Sequence, residues 1–148
     1  AAAGHDPLPQ FVPPTESAAG DKTLAARYPL ALLTPKHHTR FLNSSYTHLP
    51  KHGPREGKPF LEIDAADAAA RGVSAGDRVD VWNDRARLTL EVRISDRLRR
   101  GVVAVPFGWW AADHDQQATA NSLTSDTLTD WGGGVAYSDT LVQVARSV

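Results

Sequence analysis

Hydrophobic residues recur at every second position in several short runs of this chain, with the period of two that is typical of β-strands. The clearest run, Arg87 to Ile94, places polar residues on one face and, on the other, Leu88, Leu90, Val92 and Ile94. Further apolar runs predict strands at Tyr28 to Thr34, Phe60 to Ile63, Arg78 to Trp82, Val102 to Val105 and Thr140 to Ala145. Turn residues separate these runs. The pattern therefore predicts a mainly β fold in which about six short strands form a closed barrel or a folded sheet.

One short helix is predicted from Asp64 to Arg71, between the second and third strands. Asp64 can cap its first turn, and Gly72 supplies the left-handed residue that follows its last turn. The alanines between them make the helix narrow enough to pack closely on a sheet.

The first 26 residues lack this periodicity and carry four prolines by position 14. Such a segment cannot bury enough apolar surface to offset its ordering entropy, so we expect it to be extended and partly disordered. The chain starts with Ala rather than Met, which favours a domain from inside a longer polypeptide. The expected division is a linker or tail over residues 1–27 and a barrel domain over residues 28–148.

The composition is that of one ordinary globular domain, with 148 residues of which 41% are hydrophobic and 22% charged. A net charge of -1 gives no overall attraction to nucleic acid or acidic lipid, and no apolar run approaches the length of a membrane span. The absence of Cys excludes disulfides and Cys-based zinc or iron–sulfur sites within these residues.

Cationic and hydrogen-bonding residues follow the first strand. The loop from Thr34 to Lys58 contains five Lys or Arg residues against one acid, Glu56, with Thr, Asn and Ser residues between them. Loops of this kind bind phosphate through Lys and Arg charge and through backbone N–H groups. A solvated basic loop is the simpler alternative.

Two more loops carry candidate ligand contacts. Trp109 and Trp110 follow the fifth strand and point to different sides if extended, so that one can pack in the core while the other covers a planar heterocycle. The segment from Asp113 to Gly134 is acidic and has no Lys or Arg. A carboxylate there can accept hydrogen bonds from guanine, although a turn or cap is the simpler role for any one Asp.

Other kinds of site agree less well with the sequence. Zinc is suggested by His37, His38, His48 and His52, but the last two flank Pro50 and do not share a helix face, and Cys ligands are absent. Neither a nucleophile elbow nor a Gly-rich dinucleotide or P-loop pattern is present. Basic residues are concentrated in one loop, whereas a nucleic-acid module needs them over a broad face.

Four blocks, in this order and spacing, resemble one family. They are YPLALLTPKHHTRFLNSSY, EIDAADAAARGVSAGDRVDVWND, RRGVVAVPFGWW, and NSLTSDTLTDWGGG followed by YSDTLVQV, from about Tyr28 to Val144. Together they resemble the C-terminal molybdopterin-dinucleotide-binding domain of the dimethyl sulfoxide reductase-type molybdenum oxidoreductases.

That resemblance implies a six-stranded double-psi β-barrel that closes over a bis(molybdopterin guanine dinucleotide) cofactor. The parent enzyme binds the molybdenum or tungsten, and its metal ligand lies upstream of this domain. The implied partners are the pterin dinucleotide cofactor and the other domains of the parent oxidoreductase, with no nucleic acid and no membrane insertion. By itself the domain is expected to lack turnover.

The resemblance also implies which residues hold the cofactor. The loop after the first strand would contact pyrophosphate and pterin, the stretch around Asn121 would line the cofactor from the other side, and the two tryptophans lie in the loop before that stretch. The predicted cofactor-binding residues are Thr34, Pro35, Lys36, His37, His38, Thr39, Arg40, Asn43, Ser44, Trp109, Trp110, Asn121, Leu123 and Thr124.

This sequence departs from the family pattern in the turn from Asn83 to Ala86, where Ala replaces a usual Gly, and the His37-His38 pair varies across the family. Three competing interpretations remain. They are a stand-alone barrel that acts as a protein-interaction or adaptor module, a small hydrolase or metal-dependent enzyme that uses the histidines, and a nucleic-acid binder.

Overall fold

Six strands close into a barrel in the computed structural model, which describes residues 4, 8, 10–38, 44–45, 47–52, 57–129 and 132–148. The strands are β1 (Leu30–Leu33), β2 (Phe60–Ile63), β3 (Arg78–Trp82), β4 (Arg87–Ile94), β5 (Val102–Ala104) and β6 (Leu141–Arg146). The short helices are α1 (Lys22–Arg27), α2 (Ala65–Ala69) and α3 (Ala120–Leu123), with a 3₁₀ turn at Ala111–Asp113. The order around the barrel is β1-β5-β2-β4-β3-β6.

This strand order is unchanged when the first three strands are exchanged with the last three. β1 is parallel to β5 as β4 is to β2, and β1 is antiparallel to β6 as β4 is to β3. Antiparallel pairs between β2 and β5 and between β3 and β6 complete the ring, so that every pair joins a strand of one half to a strand of the other. The two interlocked halves form a single closed barrel with two parallel pairs, the topology of a double-psi β-barrel, and the fold prediction is confirmed.

Strand direction gathers the long connections at one end of the barrel. β1, β3 and β5 run one way, and β2, β4 and β6 run the other. Residues 34–59, 83–86 and 105–140, which connect β1 to β2, β3 to β4 and β5 to β6, therefore all leave from one end, which we call the loop end. Every loop for which the sequence predicts ligand contacts emerges there.

Alternating strand residues fill the interior. Residues that are 0% exposed include Leu61, Ile63, Val79, Val81, Leu88 and Val103. The predicted alternation of β4 is correct as far as Val92 and wrong at Ile94, which is 41% exposed. Ile94 is the last residue of the strand and faces a surface groove beside α2 rather than the barrel interior.

The helix after β2 forms as predicted. Asp64 Oδ1 accepts hydrogen bonds from the backbone N–H groups of Ala66 (2.9 Å) and Asp67 (3.3 Å), and Gly72 has a φ of +63°. These contacts satisfy N–H groups that the first helical turn leaves unpaired. None of the helices within the described ranges is long and apolar enough to cross a membrane.

The prediction of an extended chain over the first 26 residues is wrong for α1. Asp21 caps that helix by accepting from the N–H groups of Thr23 (2.8 Å) and Leu24 (3.0 Å). Its last residue, Arg27, pairs with Asp84 of the β3–β4 turn at 2.5 Å. The boundary between tail and barrel at residue 27 stays a prediction.

Replacing Leu61 with Ala tests the packing of the barrel. Leu61 is 0% exposed, so the change removes buried methyl groups and leaves a cavity, and we expect the free energy of unfolding to fall by about 2–5 kcal/mol. Urea unfolding measures the loss. Leu49→Ala is the matched control, because Leu49 is 45% exposed and should change stability by about 0.5 kcal/mol or less. Equal losses in both variants would contradict a packed barrel interior.

Candidate functional site

The loops after β1 and β5 run side by side beyond the ends of their strands. The N–H groups of Val105 and Phe107 donate to the carbonyl oxygens of Leu33 (2.9 Å) and Pro35 (3.0 Å), and Lys36 forms a parallel bridge with Phe107. Pro35 has no N–H to donate, so the pairing is weakened there and ends at Lys36. The predicted phosphate loop and the tryptophan loop are therefore neighbours.

A cleft of about 440 Å³ opens where these loops meet the segment after α3. Its lining residues are Thr34, Phe107, Asn121, Thr124, Ser125, Asp126, Val135 and Tyr137. A second pocket of about 260 Å³ shares Phe107 and Asn121 with it and extends toward Ser44, Trp110 and His114. We call the two pockets together the loop-end cleft.

The helix α3 presents one predicted residue to this cleft and hides another. Ala120 and Leu123 are buried, which anchors the helix and turns Asn121 outward. Thr124 Oγ1 then donates to the carbonyl oxygen of Asn121 at 2.9 Å as the chain leaves the helix. Leu123 is 0% exposed, so its side chain packs in the core and not in the cleft.

The structure brings together six of the predicted cofactor-binding residues as lining of the loop-end cleft, namely Thr34, Ser44, Trp109, Trp110, Asn121 and Thr124. Pro35, Lys36 and His38 are exposed at the same end. Thr39, Arg40 and Asn43 lie outside the described residues. His37 is 4% exposed and packs edge-on against Trp109 (5.5 Å between ring centroids) and Phe60 (6.0 Å).

The two adjacent tryptophans divide as predicted, with Trp109 8% exposed and Trp110 55% exposed. The Trp110 backbone N–H donates to Asp113 Oδ2 at 2.8 Å, and His48 Nε2 lies 3.4 Å from the same oxygen. Asp113 is thus a turn residue that ties the tryptophan loop to the loop after β1. Trp110 remains available on the surface to cover a ring.

Among the other acids of that segment, Asp126 is the one that faces the cleft. Asp115 pairs with Arg78 on β3, and Asp130 lies outside the described residues. Asp126 is exposed and lines the larger pocket beside Thr124 and Ser125. It is therefore the carboxylate best placed to accept hydrogen bonds from a base in the cleft.

Sequence reasoning missed His114, which is 6% exposed and lines the smaller pocket. Its Nδ1 atom is buried and has no hydrogen-bond partner among the described residues. Burial lowers the pKa of His114, an effect larger than the opposite influence of Asp113 and Asp115. The sequence showed only a His between two acids, a pattern that predicts a charged imidazole, because nothing local indicates that the ring turns inward.

The predicted alternative of a zinc site gains no support. Within the described ranges, no group of three or more His, Asp or Glu side chains is placed to hold a metal ion. His37 packs among aromatic rings, and His48 contacts the Trp110 ring edge-on at 5.6 Å.

Residues 30–141 match the family model described as the molydopterin dinucleotide binding domain. The chain is 35% identical over 112 residues to the probable oxidoreductase YoaE of Bacillus subtilis, a match that covers 76% of this chain and 16% of that protein. It is 32% identical over 147 residues to the dimethyl sulfoxide reductase DmsA of Escherichia coli, covering 95% of this chain and 17% of that protein.

Among solved structures, acetylene hydratase from Pelobacter acetylenicus shares the fold with a TM-score of 0.78 and 20% identity. That likeness covers 99% of this chain and 22% of that chain. The chain therefore spans about a sixth of the length of the two curated relatives and less than a quarter of the solved structure.

The family match covers β1 to β5 and the first residue of β6, together with the β1–β2 and β5–β6 connections that line the loop-end cleft. It confirms the predicted family and the prediction that the cofactor is molybdopterin guanine dinucleotide with molybdenum. This chain belongs to the molybdopterin-dinucleotide-binding domains of the dimethyl sulfoxide reductase type.

Proposed function

We propose that this domain covers one side of a molybdopterin guanine dinucleotide in a larger molybdenum oxidoreductase, whose other domains hold the rest of the cofactor. The observation that carries the proposal is the loop-end cleft, where residues from the β1–β2 and β5–β6 connections converge at one end of the barrel. The short span of the chain relative to its relatives supports the existence of further domains.

The lining of the cleft suits a dinucleotide. Its polar groups are mostly neutral hydroxyls and an amide, on Thr34, Asn121, Thr124 and Ser125, which can hydrogen-bond phosphate, sugar or base groups without adding charge. The exposed Lys36 lies at the rim and can offset part of the diphosphate charge. When bound, the cofactor supplies the redox-active metal centre.

Aromatic residues of this cleft provide surfaces on which flat rings can stack. Trp110 lines the smaller pocket and Tyr137 the larger one, and both are more than half exposed, at 55% and 54%. An exposed ring of this size gains apolar contact when a heterocycle stacks on it. We assign the pterin or guanine faces to these two side chains.

We assign guanine recognition to Asp126. Guanine presents a ring N–H and an exocyclic amine side by side, and a carboxylate can accept from both, as in other charge-assisted pairs. Asp126 is the acid of the cleft lining in the part of the chain that the structure describes.

His114 contributes a neutral imidazole to the wall of the smaller pocket. Its lowered pKa keeps it uncharged near neutral pH, so the wall of the pocket gains no positive charge there. Burial of its Nδ1 without a hydrogen-bond partner among the described residues costs folding free energy.

The proposal is tested on the full-length natural polypeptide that contains this segment. The purified protein is assayed for molybdenum or tungsten and for guanosine monophosphate released by acid. Metal with about two nucleotides per metal, the ratio implied by a bis(dinucleotide) cofactor, is the expected result. Neither metal nor nucleotide, in a host that makes the cofactor, would instead favour the adaptor module.

Replacing Asp126 with Asn should lower the guanosine monophosphate content of that protein. The amide can no longer accept from both guanine donors, and loss of a charged hydrogen bond corresponds to about a tenfold weaker affinity. Asp115→Asn is the control, because Asp115 pairs with Arg78 away from the loop-end cleft. Equal nucleotide content in both variants would remove Asp126 from guanine recognition.

Acidification should destabilise the chain through His114. Because the pKa is lowered in the folded state, the unfolded chain takes up a proton first as the pH falls below about 6.5. The contribution of the neutral, buried His114 to the free energy of unfolding is therefore complete above pH 6.5. It is lost as the pH falls from that value to the pKa of His114 in the folded state. Unfolding free energies measured from pH 7.5 to 5.5 should fall more steeply for the wild type than for His114→Gln. Parallel pH profiles would show that His114 is not buried as a neutral ring.

A further inference from the structure

The β3–β4 turn, residues 83–86, holds the segment that lines the loop-end cleft. Asn83 Oδ1 accepts from the backbone N–H groups of Arg85 (3.0 Å) and Ala86 (3.4 Å), which fixes the turn. The Nδ2 of the same side chain donates to the carbonyl oxygens of Leu123 (2.8 Å) and Leu141 (3.2 Å). One side chain therefore joins the turn, α3 and the start of β6.

Arg85 makes a second bond to the same carbonyl. Its Nε donates to the Leu123 oxygen at 2.9 Å, so that this oxygen accepts from two side chains of one turn. Leu123 is the last residue of α3, and Thr124 beyond it is extended, with φ -81° and ψ 154°. The doubly bonded carbonyl thus lies at the point where the chain leaves the helix and enters the cleft lining.

Glu16 fixes the other side of the Arg85 guanidinium. Both terminal nitrogens of Arg85 donate to the carboxylate, Nη1 to Oε1 at 2.6 Å and Nη2 to Oε2 at 2.7 Å. The same carboxylate accepts from the N–H of Leu141 at 3.2 Å. The side chains of Glu16 and Arg85 are 14% and 32% exposed, so water screens this pair only in part.

A tight loop before α1 presents Glu16 in this place. The hydroxyl of Ser17 donates to the carbonyl oxygen of Pro14 at 2.7 Å, and the N–H of Asp21 donates to the carbonyl oxygen of Thr15 at 3.0 Å. Gly20 closes the loop, and a Cβ atom at that position would collide with the carbonyl oxygens of Pro14 and Thr15. Glu16 therefore reaches the barrel from a segment that has its own fixed geometry.

We propose that Arg85, held by Glu16, is a positioning residue that fixes the exit of α3 and so orients Asn121 and Thr124 toward the bound dinucleotide. It acts through the Leu123 carbonyl and does not itself line either pocket of the loop-end cleft. The role of the cofactor in this inference rests on the proposed function, whereas the positioning of the segment does not.

The positioning is tested in the 148-residue chain by amide hydrogen exchange, without any cofactor. Arg85→Ala should raise the exchange rates of residues 121–125 about tenfold or more relative to those of β2 and β5. Arg87→Ala is the matched control from the same hairpin, because Arg87 pairs with Asp80 at 2.9 Å and does not contact Leu123. Unchanged exchange at residues 121–125, or an equal rise throughout the barrel, would overturn the proposal.

Two further variants weaken the pair of Glu16 with Arg85 without changing Arg85. They keep the proposal testable if Arg85→Ala does not fold. Glu16→Gln keeps the shape of the side chain but removes its charge, and Gly20→Ala disturbs the loop that presents it. Both should raise exchange at residues 121–125, and Arg85→Lys should give a smaller rise than Arg85→Ala because it keeps the charge. If residues 121–125 stay protected in both Glu16→Gln and Gly20→Ala, Glu16 does not help Arg85 to hold the Leu123 carbonyl.

The consequence for the cofactor is measured in the full-length protein as guanosine monophosphate retained per protein after dilution. Arg85→Ala should lose nucleotide about tenfold faster than the wild type, while Arg87→Ala should match the wild type. A wild type that holds no nucleotide contradicts the proposed function, and the exchange experiment then still decides the positioning role. If the wild type holds nucleotide and both variants lose it at the same rate, Arg85 does not orient residues toward the cofactor. The proposed function is not affected by that result.

Discussion

The parallel pairing of β1 with β5 is the constraint on which the candidate site depends. Parallel strands send their carboxyl ends the same way, so the connections that follow them must start as neighbours although the paired residues, such as Leu33 and Ala104, are 71 positions apart in the chain. The pairing continues past the strand ends as far as Lys36 and Phe107. Backbone hydrogen bonds thereby place a basic loop beside an aromatic loop, and side-chain contacts such as that of His48 with Asp113 add to them.

In this arrangement, the residues that stabilise the barrel are mostly different from those that line the loop-end cleft. The barrel interior is made of Leu, Ile and Val side chains that are almost fully buried, each worth about 1.5–3 kcal/mol of transfer free energy. The loop-end cleft is lined mainly by hydroxyls, an amide and exposed rings, and its buried wall is formed by Trp109 and Ala120. Residues that bind a ligand can therefore differ among relatives without loss of the barrel, as is usual for loops on a rigid scaffold.

The two ion pairs described at the β3–β4 turn differ in how well they can hold a neighbouring segment in place. The pair of Arg27 with Asp84 has both side chains more than half exposed, at 55% and 56%, and water screens such a pair so that it contributes little to stability. The pair of Glu16 with Arg85 is better shielded and bidentate, and it is tied to the backbone at Leu123 and Leu141. Geometry and burial, rather than the number of charges, make the second pair the one that can hold a segment in place.

The sequence by itself determined the strands, because the period-two pattern is local and records which face of each strand is buried. Three strands, from Phe60, Arg78 and Arg87, begin and end where the pattern predicts, and the family blocks determined the barrel and its cofactor. It also indicated that Trp109 and Trp110 differ in burial. Only the tertiary structure decided that His114 turns inward, that Leu123 packs in the core and that Glu16 reaches Arg85. Each of these depends on contacts between residues far apart in the chain, and burial at such a contact overrides what the neighbouring residues favour.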